Sequence, residues 1–192
     1  MKKIIFIIGI TSLLSSCRNE VEQPISVTDN PLLKIEIPAN FPAFNQLHSE
    51  NPPTQYGVEL GKKLFHDPIL SGDNSVSCAT CHQKQKAFAD SNTKAVGIHG
   101  RVGLRNSPPI QNMAFMNLYM WDGAVLDLKE QPRIPIVNPD EMDSSVLQII
   151  AKIKTNKDYI NLFQKAFGDD LSDNKTAVNH LLRSLAQYMS TL

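Results

Sequence analysis

Two cysteines and a histidine lie close together in the stretch S-V-S-C-A-T-C-H, residues 75–82. Cys78 and Cys81 are three positions apart and His82 follows directly, while the third cysteine of the chain, Cys17, lies far away in the sequence. Three chemistries use such a group: a redox-active dithiol, part of a zinc site, or the covalent attachment of haem. The residues around the motif distinguish between them.

These surroundings disfavour zinc and a redox dithiol. A zinc site needs more ligands at matching spacing, and the sequence has no second cysteine pair and no His-x₃₋₅-His. A redox dithiol is expected within a βαβ pattern, whereas residues 68–74 have the composition of a loop. Haem attachment explains all three residues, because Cys78 and Cys81 can bond the two vinyl groups from one helical turn while His82 binds the iron as the proximal ligand. The motif therefore predicts one covalent haem c.

A single haem c is typical of a small electron carrier, in which a methionine usually closes the second axial position of the iron. Met113, Met116 and Met120 follow the motif, and their spacing suits either that role or packing beside neighbouring aromatic and aliphatic residues. The residues alone therefore leave an electron-carrier function open.

The N-terminus has the features of a bacterial export signal. Lys2 and Lys3 precede an apolar run, residues 4–14, which is too short to span a bilayer as a mature helix. The run ends in L-S-S-C, which resembles the lipobox of bacterial lipoproteins, so Cys17 is the predicted lipidation site. We expect a periplasmic, membrane-attached lipoprotein with a signal peptide over residues 1–16, a lipid-anchored tether over 17–50 and a haem domain over 51–192.

The charge balance gives no reason to expect nucleic acid as a partner. Lys plus Arg and Asp plus Glu number 19 each. Removing residues 1–16 takes away Lys2 and Lys3, which leaves 17 basic against 19 acidic side chains and a net charge near −2. A length of 192 residues suits one domain of ordinary size.

The elements that position the motif are predicted to be helices joined by loops. Thr54 is the predicted N-cap of a helix reaching about Phe65, and a second helix begins near Ser77. From there to about Pro139 the chain is rich in Gly, Pro and Asn, a length that is uncommon unless the segment has a function such as wrapping a cofactor. Helices follow over about residues 144–154, over 158–167 with Gly168 as the stop, and from 172 onward. We expect an all-α, cytochrome c-like haem domain with long irregular loops.

Several further motifs occur in an order that resembles a known family. They are L-G-K-K-L-F-H-D-P-I-L-S from Leu60, F-A-D from Phe88, G-L-R-N-S-P-P from Gly103, W-D-G from Trp121, K-E-Q from Lys129 and P-I-V-N-P-D-E-M from Pro135. Together with S-C-A-T-C-H, this succession resembles the N-terminal, peroxidatic haem domain of the bacterial di-haem cytochrome c peroxidases and their MauG-like relatives. The resemblance runs from about Pro38 to the end of the sequence.

The resemblance implies roles for four residues near the haem. Glu141 matches the distal glutamate, which moves a proton between the two oxygens of hydrogen peroxide, and Gln131 matches the distal glutamine, which orients them. Pro135 matches the pocket proline that limits what fits over the iron, and Trp121 matches an aromatic residue between two haems. The alternatives are structural: a helix-end charge, a surface amide, a loop residue and a core aromatic.

Two weaker assignments concern a histidine and an asparagine. His99 lies in a glycine-containing loop near the position of a family histidine that caps the peroxidatic iron at rest, although the match falls one residue away. Asn106 matches an asparagine that binds Ca²⁺ between two domains, with other ligands from a later part of the family's chain. Three histidines match no motif and are expected to be ordinary solvated or hydrogen-bonded residues: His48, His66 and His180.

The implied reaction is the reduction of hydrogen peroxide to water with electrons from a small cytochrome c or a cupredoxin. The alternatives are a mono-haem electron carrier without catalysis and a MauG-like oxidase of a protein side chain. Family members continue into a second haem domain with another Cys-x-x-Cys-His, and none follows Leu192 in this sequence. A fragment of a longer protein, a truncated product and one part of a split protein are all open, and in each case the peroxidase would be incomplete alone. A second haem domain, a separate subunit and a homodimer are open as partners.

Overall fold

The structure, a computed structural model, describes residues 29–44 and 49–192, so the predicted signal peptide and Cys17 lie outside the described residues. The helices in that part of the chain are α1 (Gln55–His66), α2 (Cys78–Cys81), α3 (Arg133–Val137), α4 (Val146–Ile153), α5 (Lys157–Phe167) and α6 (Asn174–Met189). Short 3₁₀ turns lie at Pro68–Leu70, Lys84–Lys86, Ile98–Gly100 and Met113–Phe115. The β pairing found in the same residues is confined to isolated bridges. The all-α prediction is confirmed.

The core forms where α1 packs on α5 and α6. Leu60 and Leu64 of α1 and Leu181 of α6 are completely buried, as is Phe163 of α5. Each such side chain contributes about 1.5–3 kcal/mol relative to an exposed position. Because α1 ends shortly before the haem motif, this core fixes one side of the site.

Side-chain caps fix the beginnings of the helices. The Oγ1 of Thr54 accepts a hydrogen bond from the N–H of Gly57 at 3.2 Å, which confirms the predicted start of α1. Gly168 ends α5 with φ +66°, in the left-handed region that favours glycine. Ser145 and Asp173 cap α4 and α6, so these helices begin about two residues after their predicted starts.

Part of the predicted tether is already paired with the helical domain. The N–H of Leu33 donates to the carbonyl of Pro53, and the N–H of Gln55 donates to that of Pro31, both at 2.9 Å. The side-chain amide of Asn30 also donates to the carbonyl of Ala166 at 2.8 Å. Contacts with the helices therefore begin before residue 51, the boundary predicted from the sequence. Among the described residues, no helix is long and apolar enough to cross a membrane.

Helix α3 interrupts the stretch that the sequence predicts to be irregular as far as Pro139. The helix follows Pro132 and contains Pro135 as its third residue. In the first turn a backbone N–H has no partner inside the helix, so the missing N–H of Pro135 removes no helical hydrogen bond. The two prolines are therefore compatible with a short helix, although the composition of the stretch predicts a loop.

We expect Gly61→Ala to lower stability, because a methyl group at this position of α1 would meet the backbone carbonyl of Ser184 on α6. A backbone atom cannot rotate away, so the two helices must separate, and overpacking of this kind costs about 1–3 kcal/mol. For a chain of this size the melting temperature falls by about 2–4 °C per kcal/mol, as measured by circular dichroism. Gly103→Ala is the matched control, since its nearest atom, the carbonyl oxygen of Ala95, would lie 3.6 Å away. Equal losses in the two variants would contradict this account.

Candidate functional site

Helix α2 presents the haem-attachment residues on a single turn. Cys78 and Cys81 are its first and last residues, and His82 follows as its C-cap. The turn is closed at its start by the N–H of Ser77, which donates to the Oγ1 of Thr80 at 3.0 Å. Both thiols are free, and burial raises the pKa of Cys78 to about 12 and also raises the pKa of Cys81. A redox dithiol needs a lowered pKa, so the structure argues against that alternative.

His82 is held in the tautomer that can bind iron. Its Nδ1 lies 2.9 Å from the carbonyl oxygen of Phe88. Since a carbonyl only accepts, Nδ1 carries the proton and the Nε2 of the neutral ring keeps its lone pair. Burial holds the pKa of His82 below its usual range, opposed by the carbonyls of Phe88 and Pro108 and by the charge of Asp90. Two free thiols and an available imidazole nitrogen are the donor set that haem c requires.

Zinc has no further ligands at this place. The part of the chain that the structure describes contains no group of three or more His, Cys, Asp or Glu side chains that could hold a metal ion. An iron held by a porphyrin needs only His82 from this face, together with the two thioether bonds. The residues at the motif therefore fit haem c and do not fit zinc.

Helix α3 and the turn after it bring Gln131, Pro135 and Glu141 onto one local unit. The carbonyl of Gln131 accepts from the N–H of Ile134 at the start of the helix, at 3.2 Å. The carbonyl of Pro135 accepts from the N–H of Met142 at 3.2 Å, which ties the segment carrying Glu141 back to the helix. The three residues that the resemblance places on the distal side of the iron are thus connected through the backbone.

Glu141 is a partly buried carboxyl group suited to moving a proton. Burial raises its pKa, a hydrogen bond from the Nδ2 of Asn138 at 2.8 Å lowers it, and the charge of Asp140 raises it, with a net shift upward. A carboxyl whose pKa is moved toward neutrality can both accept and return a proton. The loop of residues 96–98 links the segment of Glu141 to the haem-attachment turn, because the Sγ of Cys81 lies 3.9 Å from the carbonyl oxygen of Val96 and the N–H of Ile98 donates to the backbone carbonyl of Glu141 at 2.8 Å.

Two residues that support the site were not predicted from the sequence. Asn138 uses its Oδ1 to accept from the N–H of Asp140 at 3.0 Å, while its Nδ2 holds Glu141. An Asn two residues before the N–H that it binds is the signature of an Asx turn, so this role had a readable signal. Phe88 directs its carbonyl at His82 from a backbone with φ +56°. A bulky residue in the left-handed region has no sequence signal.

Met120 lies against one of the predicted distal residues. Its Sδ accepts from the Nε2 of Gln131 at 3.5 Å. Of the other two methionines considered as axial ligands, Met113 is buried in the core and Met116 is 43% exposed. A thioether is a weak acceptor, so a stronger acceptor can take the amide of Gln131 from Met120.

The loop that carries His99 is paired with the backbone of Glu141. The N–H of Ile98 donates to the carbonyl of Glu141 at 2.8 Å, and a side chain at Gly97 would collide with the same segment. His99 itself has φ +56°, and its Nδ1 lies 3.4 Å from a carboxylate oxygen of Asp73 with the ring 56% exposed. The loop therefore adjoins the backbone of Glu141, and iron capping by His99 stays a prediction.

Trp121 and Asn106 meet at the surface. The indole N–H of Trp121 donates to the backbone carbonyl of Asn106 at 3.0 Å, and the side chain is 54% exposed, so Trp121 is not a core aromatic. Asn106 offers one side-chain oxygen, whereas Ca²⁺ takes six to eight oxygen ligands. No acidic cluster that could complete such a site occurs in residues 29–44 and 49–192. Calcium binding at Asn106 therefore stays a prediction.

Known proteins match the part of the chain that contains helices α1 to α6. The family model of the di-haem cytochrome c peroxidases matches residues 55–192. Methylamine utilization protein MauG of Methylorubrum extorquens is 42% identical over 143 residues, which make up 74% of this chain and 39% of that protein. Cytochrome c551 peroxidase of Nitrosomonas europaea is 36% identical over 136 residues, 70% of this chain and 39% of that protein.

Solved structures give the same relationship. The crystal structure of a MauG-like protein associated with microbial copper homeostasis aligns with a TM-score of 0.73 at 26% identity, over 83% of this chain and 46% of that one. The chain thus spans less than half the length of these relatives. The matched segment includes the haem-attachment turn, α3 and the turn bearing Glu141. This chain belongs to the di-haem cytochrome c peroxidase family.

Proposed function

We propose that this chain is the peroxide-reducing haem domain of a periplasmic cytochrome c peroxidase. The domain holds one haem c through Cys78, Cys81 and His82 and reduces hydrogen peroxide to water with electrons from a small cytochrome c or a cupredoxin. The observation that carries the proposal is the partly buried Glu141, with its raised pKa, on the same backbone unit as Gln131 and linked by residues 96–98 to the haem-attachment turn. The name of the Nitrosomonas europaea relative, a cytochrome c551 peroxidase, supports the same activity.

The side chains around the peroxide have separable tasks. Haem, when bound, supplies the iron that binds peroxide and the electrons that cleave its oxygen–oxygen bond. Glu141 accepts a proton from one peroxide oxygen and returns it to the other, so that water is the leaving group. The side-chain amide of Gln131 donates to the thioether of Met120 in this structure, and in the reaction it donates to a peroxide oxygen and orients it. Pro135 restricts the space, and the carbonyl of Phe88 keeps the ring of His82 in place.

The partners of the proposed enzyme follow from its surface and its N-terminus. Trp121 is exposed over half of its area, and in this proposal it receives electrons from a second haem domain, a separate subunit or a second copy. The lipobox-like sequence before Cys17 supports attachment to a membrane on the periplasmic side. A Ca²⁺ ion at Asn106 would need oxygen ligands from such a partner.

The experiment that tests this function is peroxide-dependent oxidation of reduced cytochrome c by the haem-loaded chain. We expect oxidation that requires both peroxide and the chain, followed as the loss of the absorption band of reduced cytochrome c. Haem-loaded protein that leaves peroxide untouched under these conditions would contradict the proposal. The control is the same chain lacking haem, which should be inert.

An electron carrier is the second candidate, and the contact of Met120 with Gln131, a predicted distal residue, supports it. If the thioether of Met120 were the second protein ligand of the haem iron beside His82, the iron would have no free position for peroxide. The absorption spectrum of the oxidised protein then shows a methionine-to-iron band that Met120→Leu removes. A MauG-like oxidation of a protein side chain is supported by the 42% identity with MauG, and it too requires an iron that reacts with peroxide.

We expect Asn138→Ala to raise the pKa of Glu141 further, because the N–H that favours the carboxylate is lost. A peroxide reaction that needs the carboxylate will then fail at a higher pH than in the wild-type chain as the pH is lowered. The measurement is the rate of the absorption change after mixing with peroxide, followed across the acidic to neutral range. An unchanged midpoint, with an unchanged melting temperature, would show that Asn138 does not set this pKa.

A further inference from the structure

Aromatic rings form a continuous line from His82 to the surface beside α1 and α6. The ring of Phe65 lies 6.4 Å from that of His82, centroid to centroid, and the ring of Tyr188 lies 5.2 Å from that of Phe65 in an edge-to-face arrangement. The hydroxyl of Tyr188 lies 3.4 Å from the Nε2 of His66. Phe65 and Tyr188 are buried, whereas His66 is exposed. The line therefore joins the proximal iron ligand to solvent through one shielded phenol.

The surroundings of Tyr188 favour loss of an electron together with a proton. Burial raises the pKa of Tyr188, because the charged phenolate is poorly solvated there. A phenol that cannot hold a charge has to release its proton when it is oxidised. The Nε2 of His66 is within hydrogen-bond range, and an imidazole is the side chain suited to accepting a proton near neutral pH.

We propose that Tyr188 and His66 form a protein redox site that reduces the oxidised haem from its proximal side. Tyr188 gives one electron, through Phe65, to haem that hydrogen peroxide has oxidised, and gives its phenolic proton to the Nε2 of His66. The products are a neutral tyrosyl radical and an imidazolium. One electron from the external donor and the proton held by His66 restore the phenol, so the site is a temporary source of one of the two electrons that peroxide reduction consumes.

The inference rests on the proposed function only because peroxide is the oxidant of the haem. Replacing the iron with zinc tests the redox site without peroxide and so separates it from the proposed function. In the full chain carrying zinc in place of the haem iron, light and a soluble electron acceptor oxidise the porphyrin without peroxide. After a light flash, the oxidised porphyrin is expected to be reduced again while the absorption of a tyrosyl radical grows. Tyr188→Phe should lose that absorption and slow the return, and His66→Phe, which keeps a ring but removes the proton acceptor, should slow it as well.

Tyr56→Phe is the matched control. It removes a different tyrosine, which lies on α1 with its ring facing Lys165, and it is expected to behave like the wild-type chain. Melting temperatures confirm that the variants are folded. The same return rate in the wild-type chain and in Tyr188→Phe, without a tyrosyl absorption, overturns the inference. If the zinc protein shows the tyrosyl absorption while the iron protein does not react with peroxide, the redox site stands and the proposed function falls.

Discussion

Replacing Cys78 and Cys81 together with serine is expected to give a chain without covalently bound haem, even in a host that attaches haem to other cytochromes. Serine keeps the size of the side chains and tolerates the first turn of α2, but a hydroxyl does not form the thioether bonds that the vinyl groups require. His82 remains, and a single coordinate bond to iron is lost on unfolding. The measurement is the intact mass and the visible absorption of the denatured chain.

Cys17→Ser is the control for this experiment. The sequence assigns Cys17 to lipidation, so this variant is expected to keep its haem and lose its attachment to the membrane fraction. Haem that stays bound through denaturation in the Cys78→Ser, Cys81→Ser variant would rule out thioether attachment. The whole assignment of the site would then have to be abandoned.

Glu141→Gln is expected to slow the reaction of the haem-loaded chain with peroxide by about 10²–10⁴-fold, the range lost when a positioned acid–base group is removed. The change is nearly isosteric, and the amide oxygen can still accept from Asn138, so the local structure is retained. Stopped-flow absorption of the haem measures the rate. Glu130→Gln is the matched control, because Glu130 pairs with Arg133 and Lys129 on the same stretch and is expected to have no effect. Equal rates for Glu141→Gln and the wild-type chain would remove Glu141 from the mechanism.

The pH dependence of the same rate provides a second measurement on Glu141. Its carboxylate is the form that accepts the proton from peroxide, and burial raises its pKa above the ordinary value of 4.5. The rate should therefore be full above the raised pKa and fall as the pH drops through it. In Glu141→Gln this acidic limb should vanish, because the remaining amide does not titrate there.

The sequence predicted the parts of the structure that local chemistry determines. Thr54 caps the start of α1 and Gly168 ends α5 in the left-handed region, and both effects depend on the type of one residue. Cys78, Cys81 and His82 needed only their spacing to indicate haem. The two helix ends are confirmed because the interactions involved span fewer than about five residues. Haem attachment by Cys78, Cys81 and His82 stays a prediction, which the chain's membership of the family supports.

The parts that failed depend on contacts across the chain or on unusual backbone. Helix α3 lies in the stretch that its Gly, Pro and Asn content predicts to be irregular, although Pro132 and Pro135 fall where a helix tolerates proline. The orientation of His82 comes from Phe88, whose left-handed backbone no propensity indicates. His66 is exposed and within hydrogen-bond range of a partner, as expected, but that partner, Tyr188, lies 122 positions away and is visible only after α1 and α6 have packed.

The hydrogen bond between Ile98 and Glu141 connects the loop that carries His99 to the segment that carries the Glu141 carboxyl group. Any swing of the segment carrying His99 has to break that bond or carry the acidic segment with it. Entry of a small molecule to the metal and the placement of its proton carrier would then depend on the same backbone contact.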